Sequence, residues 1–450
     1  MELSKAAGLG VDAALAAGAA DAEAYAQRSS GREIRVHDGE VESLTAATER
    51  GVGIRAWIGT RAGYAFGTDL SEAGLREVAG RAATSARIAD EDSFARPPQP
   101  DGTQPELPGI HDPGIGEWSS DRLVELALGV ESAALHHDKR VSGVEQAVYA
   151  DSDDEVMIRS STGVEGGYVA SSCYAYLQAL AEGEGAKETG LGFGLARAPG
   201  GLDPDAIGRE GAERAAAMIG AGKPASRACP VVFDPTVAAS FTGLIGSVLG
   251  ADTVQRGRSP FAQRLGEEVA SPKLVLHDDG LDPEGLGSSP CDDEGTPRAR
   301  NALVEGGTLR TFLHDTYTAR RGDAVPTGNA GRAGYRSPPS VSTSNLVVGT
   351  GELGFGELLA EAGDGVYVTD VAGLHSGVNP VSGVFSVGAS GRVLSGGELA
   401  EPVREFTIAS DLVSMLRAVR EAGAEHRWVP FGGSVRTPHL LIGEMTVSGK

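Results

Sequence analysis

The stretch GLHSGVNPVSGVFSVGASG, residues 373–391, decides how the second half of this chain is interpreted. It combines Gly, Ser, Asn and Pro, which tight turns select, with short apolar runs. This texture extends from Cys229 to the C-terminus and predicts many short strands joined by Gly-rich turns. Ser386 and Ser390 both miss the GxSxG spacing, so the stretch does not support a serine hydrolase.

Working outward, the first half of the chain alternates predicted helices and short strands. Helices are expected at 2–18, 71–88, 119–137 and 203–221, and Asp38-Gly39 predicts a hairpin turn because this pair tolerates positive φ. Short strands are expected at 22–29, 33–37, 42–49, 51–58 and 63–67. No tandem repeat is visible in the sequence.

We therefore expect an α+β fold, in which a region of helices and antiparallel sheet precedes a β-rich C-terminal domain. A length of 450 residues implies two or three domains. The Pro-rich segment 93–118 is interpreted as a linker or long surface loop. The expected divisions are an N-terminal subdomain at 1–92, the linker at 93–118, a middle subdomain at 119–225 and the C-terminal domain at 226–450.

Composition excludes several classes of protein. The formal net charge of −23 disfavours binding to nucleic acid and to anionic membranes. The three cysteines are far apart and form no CxxC, which argues against a disulfide framework and fits reduced thiols. The sequence offers neither a signal peptide nor a membrane-spanning run, so we expect a cytoplasmic protein.

One motif suggests a different class. Gly349 to Gly354 matches GxGxxG after the apolar run 346–348, which is the pattern of a dinucleotide-binding loop. The helix predicted after it, 355–362, is too short for a crossover, and a chain with 65 glycines produces such matches by chance. A nucleotide-binding oxidoreductase therefore remains an alternative, and we expect a turn here.

Residues 373–391 resemble the signature of the PmbA (TldE) side of the TldD/PmbA family, formerly called modulator of DNA gyrase. Further pieces that resemble the family follow in the same order and extend the likeness over about residues 230–449. They are 285–295 (GLGSSPCDDEG), 317–320 (YTAR), 327–331 (TGNAG), 401–403 (EPV), 406–409 (FTIA) and 444–449 (EMTVSG).

The resemblance implies a peptidase built from two related subunits. The TldD-type subunit carries HExxxH on a helix of its C-terminal domain and a cysteine near its C-terminus, and these residues bind zinc. The PmbA/TldE-type subunit is similar and lacks the metal. The substrate implied is an extended or unfolded peptide that the pair degrades or trims.

This sequence departs from the TldD pattern. Aligned without gaps between Val231 and Arg258, the two histidines fall on Thr242 and Ser247, and the catalytic Glu falls on Gly243. None of these side chains serves as a zinc ligand or as a general base, and no cysteine follows Cys291. We expect no metal site and no catalytic residue in this chain, with zinc in a TldD-type partner.

The remaining polar residues of the family-like segments are candidates for binding the peptide in a cleft shared with that partner. Turn chemistry is the alternative explanation for them. A standalone homodimeric binding or scaffold protein without peptidase activity remains a second alternative function. The candidate substrate-binding residues are His375, Ser376, Asn379, Ser382, Asp292, Asp293 and Glu294.

Overall fold

The computed structural model describes residues 1–450 and confirms the α+β class. No helix has the length and apolar character needed to cross a bilayer. The helices are α1 Leu3–Ala16, α2 Glu72–Ile88, α3 Ser120–His137, α4 Pro204–Ala216, α5 Pro235–Val248, α6 Ala251–Gln255, α7 Thr316–Arg321, α8 Phe355–Ala362 and α9 Leu412–Arg417.

The strands form one N-terminal sheet, one C-terminal sheet and a two-stranded ribbon. They are β1 Asp21–His37, β2 Glu40–Ile58, β3 Arg61–Gly67, β4 Val141–Ser160, β5 Glu165–Gly183, β6 Ala186–Ala196, β7 Arg227–Phe233, β8 Leu276–Asp279, β9 Arg300–Glu305, β10 Thr308–Leu309, β11 Ala330–Gly331, β12 Ser340–Val341, β13 Asn345–Val348, β14 Gly365–Ala372, β15 Val384–Ser395, β16 Glu398–Asp411, β17 Val419–Val429 and β18 Ser434–Ser448.

The N-terminal sheet has six antiparallel strands in the order β3-β2-β1-β4-β5-β6. Residues 1–92 and 119–225 thus contribute the two halves of one sheet, joined where β1 pairs with β4. Each half has the same order of helix, three strands and helix, a repetition that the sequence does not display. The short strands expected at 22–58 are two long strands joined by a hairpin turn at Asp38 and Gly39, both with positive φ.

The helices cover this sheet in two separate groups because each presents one apolar face. Small alanines of α1 and α2 pack on β1 and β2 in a cluster that includes Ala6, Ala79 and Ile54. Helices α3 and α4 form a second cluster with β4 and β5 around Leu177. Ser71 and Ser119 each accept a backbone hydrogen bond at the start of a helix, as Ser caps do.

The C-terminal domain is built on a ten-stranded mixed sheet, part of which closes on itself. Strand β18 pairs with β16 and β7, and β15 and β14 complete the ring between them. Helix α5 packs against this ring within the largest apolar core. Phe241 of α5 lies 5.0 Å from Phe385 of β15, measured between ring centroids, so the segment 373–391 supports α5 directly.

Buried ion pairs join the N-terminal sheet to the C-terminal domain. Arg55 of β2 contacts Glu294 at 2.8 Å. In the opposite direction, Arg332 of the C-terminal domain pairs with Glu23 of β1. The segment 93–118 lies along the same boundary, where Arg320 donates to two of its carbonyl oxygens. These contacts hold the sheet over a set of C-terminal loops that includes residues 286–298 and 331–343.

Candidate functional site

Helix α5 is where the resemblance places a metal motif in TldD-type chains. It begins at Asp234-Pro235, and the Asp234 carboxylate caps it by accepting the Thr236 amide at 2.9 Å. Asp234 also contacts Arg214 at 3.2 Å and accepts from the Tyr367 hydroxyl at 2.7 Å. The start of the helix is therefore fixed by buried polar contacts, and its register relative to the core is well defined.

The middle of α5 is closed by a neighbouring loop. A Cβ added at Gly243 would lie 2.3 Å from the carbonyl oxygen of Gly432, far inside the closest normal contact. Gly432 and Gly433 both have positive φ, so the loop turns tightly over the helix. Position 243 has no room for a glutamate unless this loop moves.

The other two positions do not supply metal ligands either. Thr242 is buried, and Ser247 is exposed with its hydroxyl donating to the Leu244 carbonyl at 2.7 Å. Zinc requires imidazole, thiolate or carboxylate ligands, which α5 lacks from 238 to 248. No group of three or more His, Cys, Asp or Glu side chains has the arrangement of a metal site. The residues present do not fit a zinc ion here.

The thiols lie apart from this helix and are shielded from solvent. Cys173, Cys229 and Cys291 are all buried and unpaired. Burial raises the pKa of Cys291 to about 12, so its thiolate is strongly disfavoured at neutral pH. None of the three has the environment of a reactive cysteine.

The turn from Gly373 to Gly383 carries four candidate residues on the protein surface. His375, Ser376, Asn379 and Ser382 are all exposed. The Asn379 side chain accepts from the amides of residues 381 and 382 at 3.0 and 3.2 Å, which is the chemistry of an Asx turn. The His375 side chain makes no hydrogen bond and is the freest of the four to contact another molecule.

The three acidic candidates lie in the interior, where backbone amides and arginines surround them. Asp292 is fully buried and accepts amides of Glu294, Thr296 and Ala330 at 2.9 to 3.0 Å. Burial and the nearby negative charge of Glu294 raise the pKa of Asp292 to about 7. For Glu294 the cost of burial is outweighed by Arg55, and its pKa is lowered.

Glu294 lines one cavity between the two regions, near Arg55 and Thr316, and Asp293 lines a second, polar cavity between the N-terminal sheet and the C-terminal domain. The cavity has a volume of about 560 Å³ and a mainly polar lining. Its floor is formed by side chains of β1, β4 and β5, and its opposite wall contains pieces of the family-like segments 285–295 and 327–331. No shared cavity or hydrogen bond joins Asp293 to the surface turn that carries His375.

The cavity approaches α5. Thr343 is one of its lining residues, and a Cβ added at Gly246 of α5 would lie 2.9 Å from the Thr343 methyl carbon. The polar space therefore adjoins the C-terminal half of the helix where the resemblance places the metal motif. Arg197, Arg298 and Arg332 also line this cavity. Sequence reasoning missed them because isolated arginines in loops form no recognisable motif.

The glycine amides of the GxGxxG segment donate hydrogen bonds to other groups of the protein. The amides of Gly349 and Gly351 donate to the carbonyls of Val275 and Gly423 at 2.9 and 3.1 Å. The Gly354 amide donates to the Glu357 carboxylate. A pyrophosphate cradle needs free amides, so this geometry disfavours the dinucleotide alternative.

Comparisons with known families agree with this architecture. Three domain models match, described as PmbA/TldA metallopeptidase domain 1 over residues 22–86, central domain over 113–219 and C-terminal domain over 226–449. The chain belongs to the PmbA/TldD metallopeptidase family, as the segment 373–391 indicated.

Individual relatives span the whole chain. The chain is 28% identical to the metalloprotease PmbA of Escherichia coli O157:H7, with 97% of this chain and 94% of that protein covered. It is 25% identical to a TldD homolog of Haemophilus influenzae, with 95% and 92% covered. The structure of TldE from Thermococcus kodakarensis, 23% identical, matches with a TM-score of 0.90 over 98% and 99% of the two chains and supports the fold.

Proposed function

We propose that this chain is the metal-free, PmbA/TldE-type subunit of a heteromeric TldD/TldE-type peptidase that degrades or trims peptides. The observation that carries the proposal is the state of α5. Gly243 lies beneath the Gly432 carbonyl and the helix offers no zinc ligand, yet the segment 373–391 that packs on it is retained. A chain that shapes a peptide site and leaves the metal to its partner accounts for both features.

The peptide-contacting surface in this proposal includes the exposed turn. His375, Ser376, Asn379 and Ser382 lie together on it, and His375 has no partner within the chain. Asp293 contributes separately from the domain boundary, where it lines the polar cavity. Asp292 and Glu294 act behind Asp293 through the backbone amides that they bind. An extended peptide is recognised mainly through its backbone, which permits broad sequence tolerance.

A second observation supports a partner subunit of the TldD type. Residues 40–50 of β2 are exposed on both faces, and β3 pairs with β2 only from Val52 to Ile58. Eleven residues of strand therefore offer unpaired backbone groups, with Val41 and Leu44 about half exposed. Proteins usually cover or block such edges. We assign this edge to contact with the TldD-type subunit, which shares the fold and supplies zinc.

The decisive experiment measures cleavage of an unfolded peptide by the TldD-type subunit with and without this chain. The pair is expected to cleave at least tenfold faster than the partner alone. Replacing His375 and Asn379 by Ala should lower the rate while the complex still co-elutes. His426→Ala, at an exposed histidine of β17, is the matched control and should leave the rate unchanged. Equal rates with and without this chain would replace the proposal with the scaffold alternative.

Elemental analysis provides an independent check. The isolated chain is expected to contain far less than one zinc per molecule after gel filtration, because α5 has no ligands to hold it. The TldD-type partner purified in the same way should retain its metal. One tightly held zinc per chain, lost on mutation of His375, would contradict the assignment of the metal to the partner.

A further inference from the structure

The polar cavity at the domain boundary is lined by an arginine, Arg197, whose guanidinium group has no counter-ion. Arg197 follows β6 and donates to the carbonyl oxygens of Ser171, at 3.0 Å, and Gly285. Its Nε is buried and has no partner. No carboxylate lies within 4 Å of this guanidinium, and burial lowers its pKa without an opposing charge. Partly removing a charge from water without a counter-ion is costly, so this guanidinium is a candidate contact for an anionic ligand.

Two arginines with more deeply buried side chains differ from the partly buried Arg197. The buried guanidinium of Arg332 pairs with Glu23, and Arg55 is shared between Glu23 and Glu294. These two arginines are therefore neutralised by carboxylates of the chain itself and need no ligand to balance their charge. Arg197 and Arg298 of the cavity wall differ from these two, because neither has a carboxylate partner.

The charges that face the cavity are Arg197, Arg298, Arg332, Asp154 and Asp293. Arg332 is neutralised by Glu23 from outside the cavity. Arg298 donates to the Ser289 hydroxyl at 3.0 Å and the Gly328 carbonyl at 2.9 Å, and it forms no ion pair. Two cations and two carboxylates therefore face the same space without pairing across it. Separated opposite charges of this kind complement a ligand that carries both signs.

We propose that this cavity binds a short peptide of two or three residues through its free termini, with Arg197 contacting the carboxylate and Asp154 contacting the ammonium group. The volume of about 560 Å³ lies within the range of small-molecule sites. Guanidinium is the preferred protein group for a carboxylate because its donors match the two oxygens. The choice of a peptide rests on the proposed function, in which short peptides are the products of cleavage.

The test is calorimetric titration of the isolated full-length chain with alanyl-alanine. Saturable binding is expected. Amidation of the C-terminus should weaken it at least tenfold, and so should acetylation of the N-terminus. Arg197→Gln should weaken binding of the free dipeptide to the level of the amide, and Asp154→Asn should remove the penalty for acetylation. Arg336→Gln, at an exposed arginine that pairs with Glu49 outside the cavity, should bind as the unaltered chain does.

Several outcomes would overturn the inference. They are the absence of saturable binding, equal binding of the free and amidated dipeptides, and inorganic phosphate binding with the same dependence on Arg197, which would make the site one for simple anions. The ligand comparison uses the unaltered chain, so it remains decisive if Arg197→Gln does not fold. Because no partner is present, failed binding alongside partner-dependent cleavage would remove this inference alone.

Discussion

The two halves of the N-terminal sheet have the same order of elements and different surroundings. In the second half, the tip of the β4–β5 hairpin enters the C-terminal domain, where Val164 is buried against Gly295. In the first half, the equivalent β1–β2 hairpin ends at Asp38-Gly39, and residues 40–50 are exposed on both faces. The tip of the β4–β5 hairpin is covered by other residues of the chain, whereas residues 40–50 of the β1–β2 hairpin are exposed to solvent.

This difference shows that one supersecondary unit can serve two purposes. The β4–β5 hairpin contributes Tyr168 and Ser171 to the domain boundary and its cavity, so its sequence is constrained by burial. The open strand of β2 carries mostly polar and small side chains, and beyond β1 it makes an exposed ion pair between Glu49 and Arg336 at 3.0 Å. The comparison therefore predicts that the first hairpin matters for assembly and the second for the stability of the chain.

The largest expected difference in the free energy of unfolding is between variants that place a charge on one hairpin or on the other. Val164→Asp should lower the free energy of unfolding by about 3 kcal/mol or more, because it buries an unpaired carboxylate. Val41→Asp on the open strand should change it by less than about 1 kcal/mol. Urea denaturation of both variants measures the contrast. Similar losses for the two would mean that the first hairpin is also covered within the chain.

A second substitution tests whether the exposed edge of β2 binds the partner subunit. Leu44→Lys places a charge on the open edge and should weaken binding of a TldD-type subunit at least tenfold, since edge lysines block strand addition. The stability of the isolated chain should change by less than about 0.5 kcal/mol. Leu135→Lys, at an exposed leucine of α3, is the matched control and should bind the partner normally. Unchanged affinity for Leu44→Lys would exclude this edge as the contact.

The third prediction concerns the hairpin turns, where the two halves are alike, and its expected loss of stability is smaller than that of Val164→Asp. Gly39 and Gly163 occupy equivalent hairpin turns and have φ of 74° and 93°. Replacing either by Ala should cost about 1–2 kcal/mol, because an L-residue is strained in that region. Gly80→Ala, within α2 and with nothing near the added Cβ, should instead be neutral or stabilising. Thermal unfolding of the three variants tests this, and a stabilising Gly39→Ala would contradict the assigned turn.

Much of the local structure was predictable because its causes are local. Ser71, Ser119 and Asp203 start their helices where the sequence places them, and Asp38-Gly39 forms the expected turn. The helix expected at 203–221 ends earlier, at Ala216, because the chain turns into the loop before β7. The long strands β1 and β2 were divided by the prediction, since their polar stretches lack the alternation that marks a half-buried strand.

By itself, the sequence determined the family, the helix starts, the hairpin turn and the lack of zinc ligands in α5, because each depends on residue identity or on neighbours within one turn. Only the tertiary structure placed the two N-terminal halves in one sheet, Gly432 over Gly243, and Arg197 and Asp293 on the lining of one cavity. These arrangements bring together residues about a hundred or more positions apart. They depend on the packing of whole domains, which no local sequence pattern predicts.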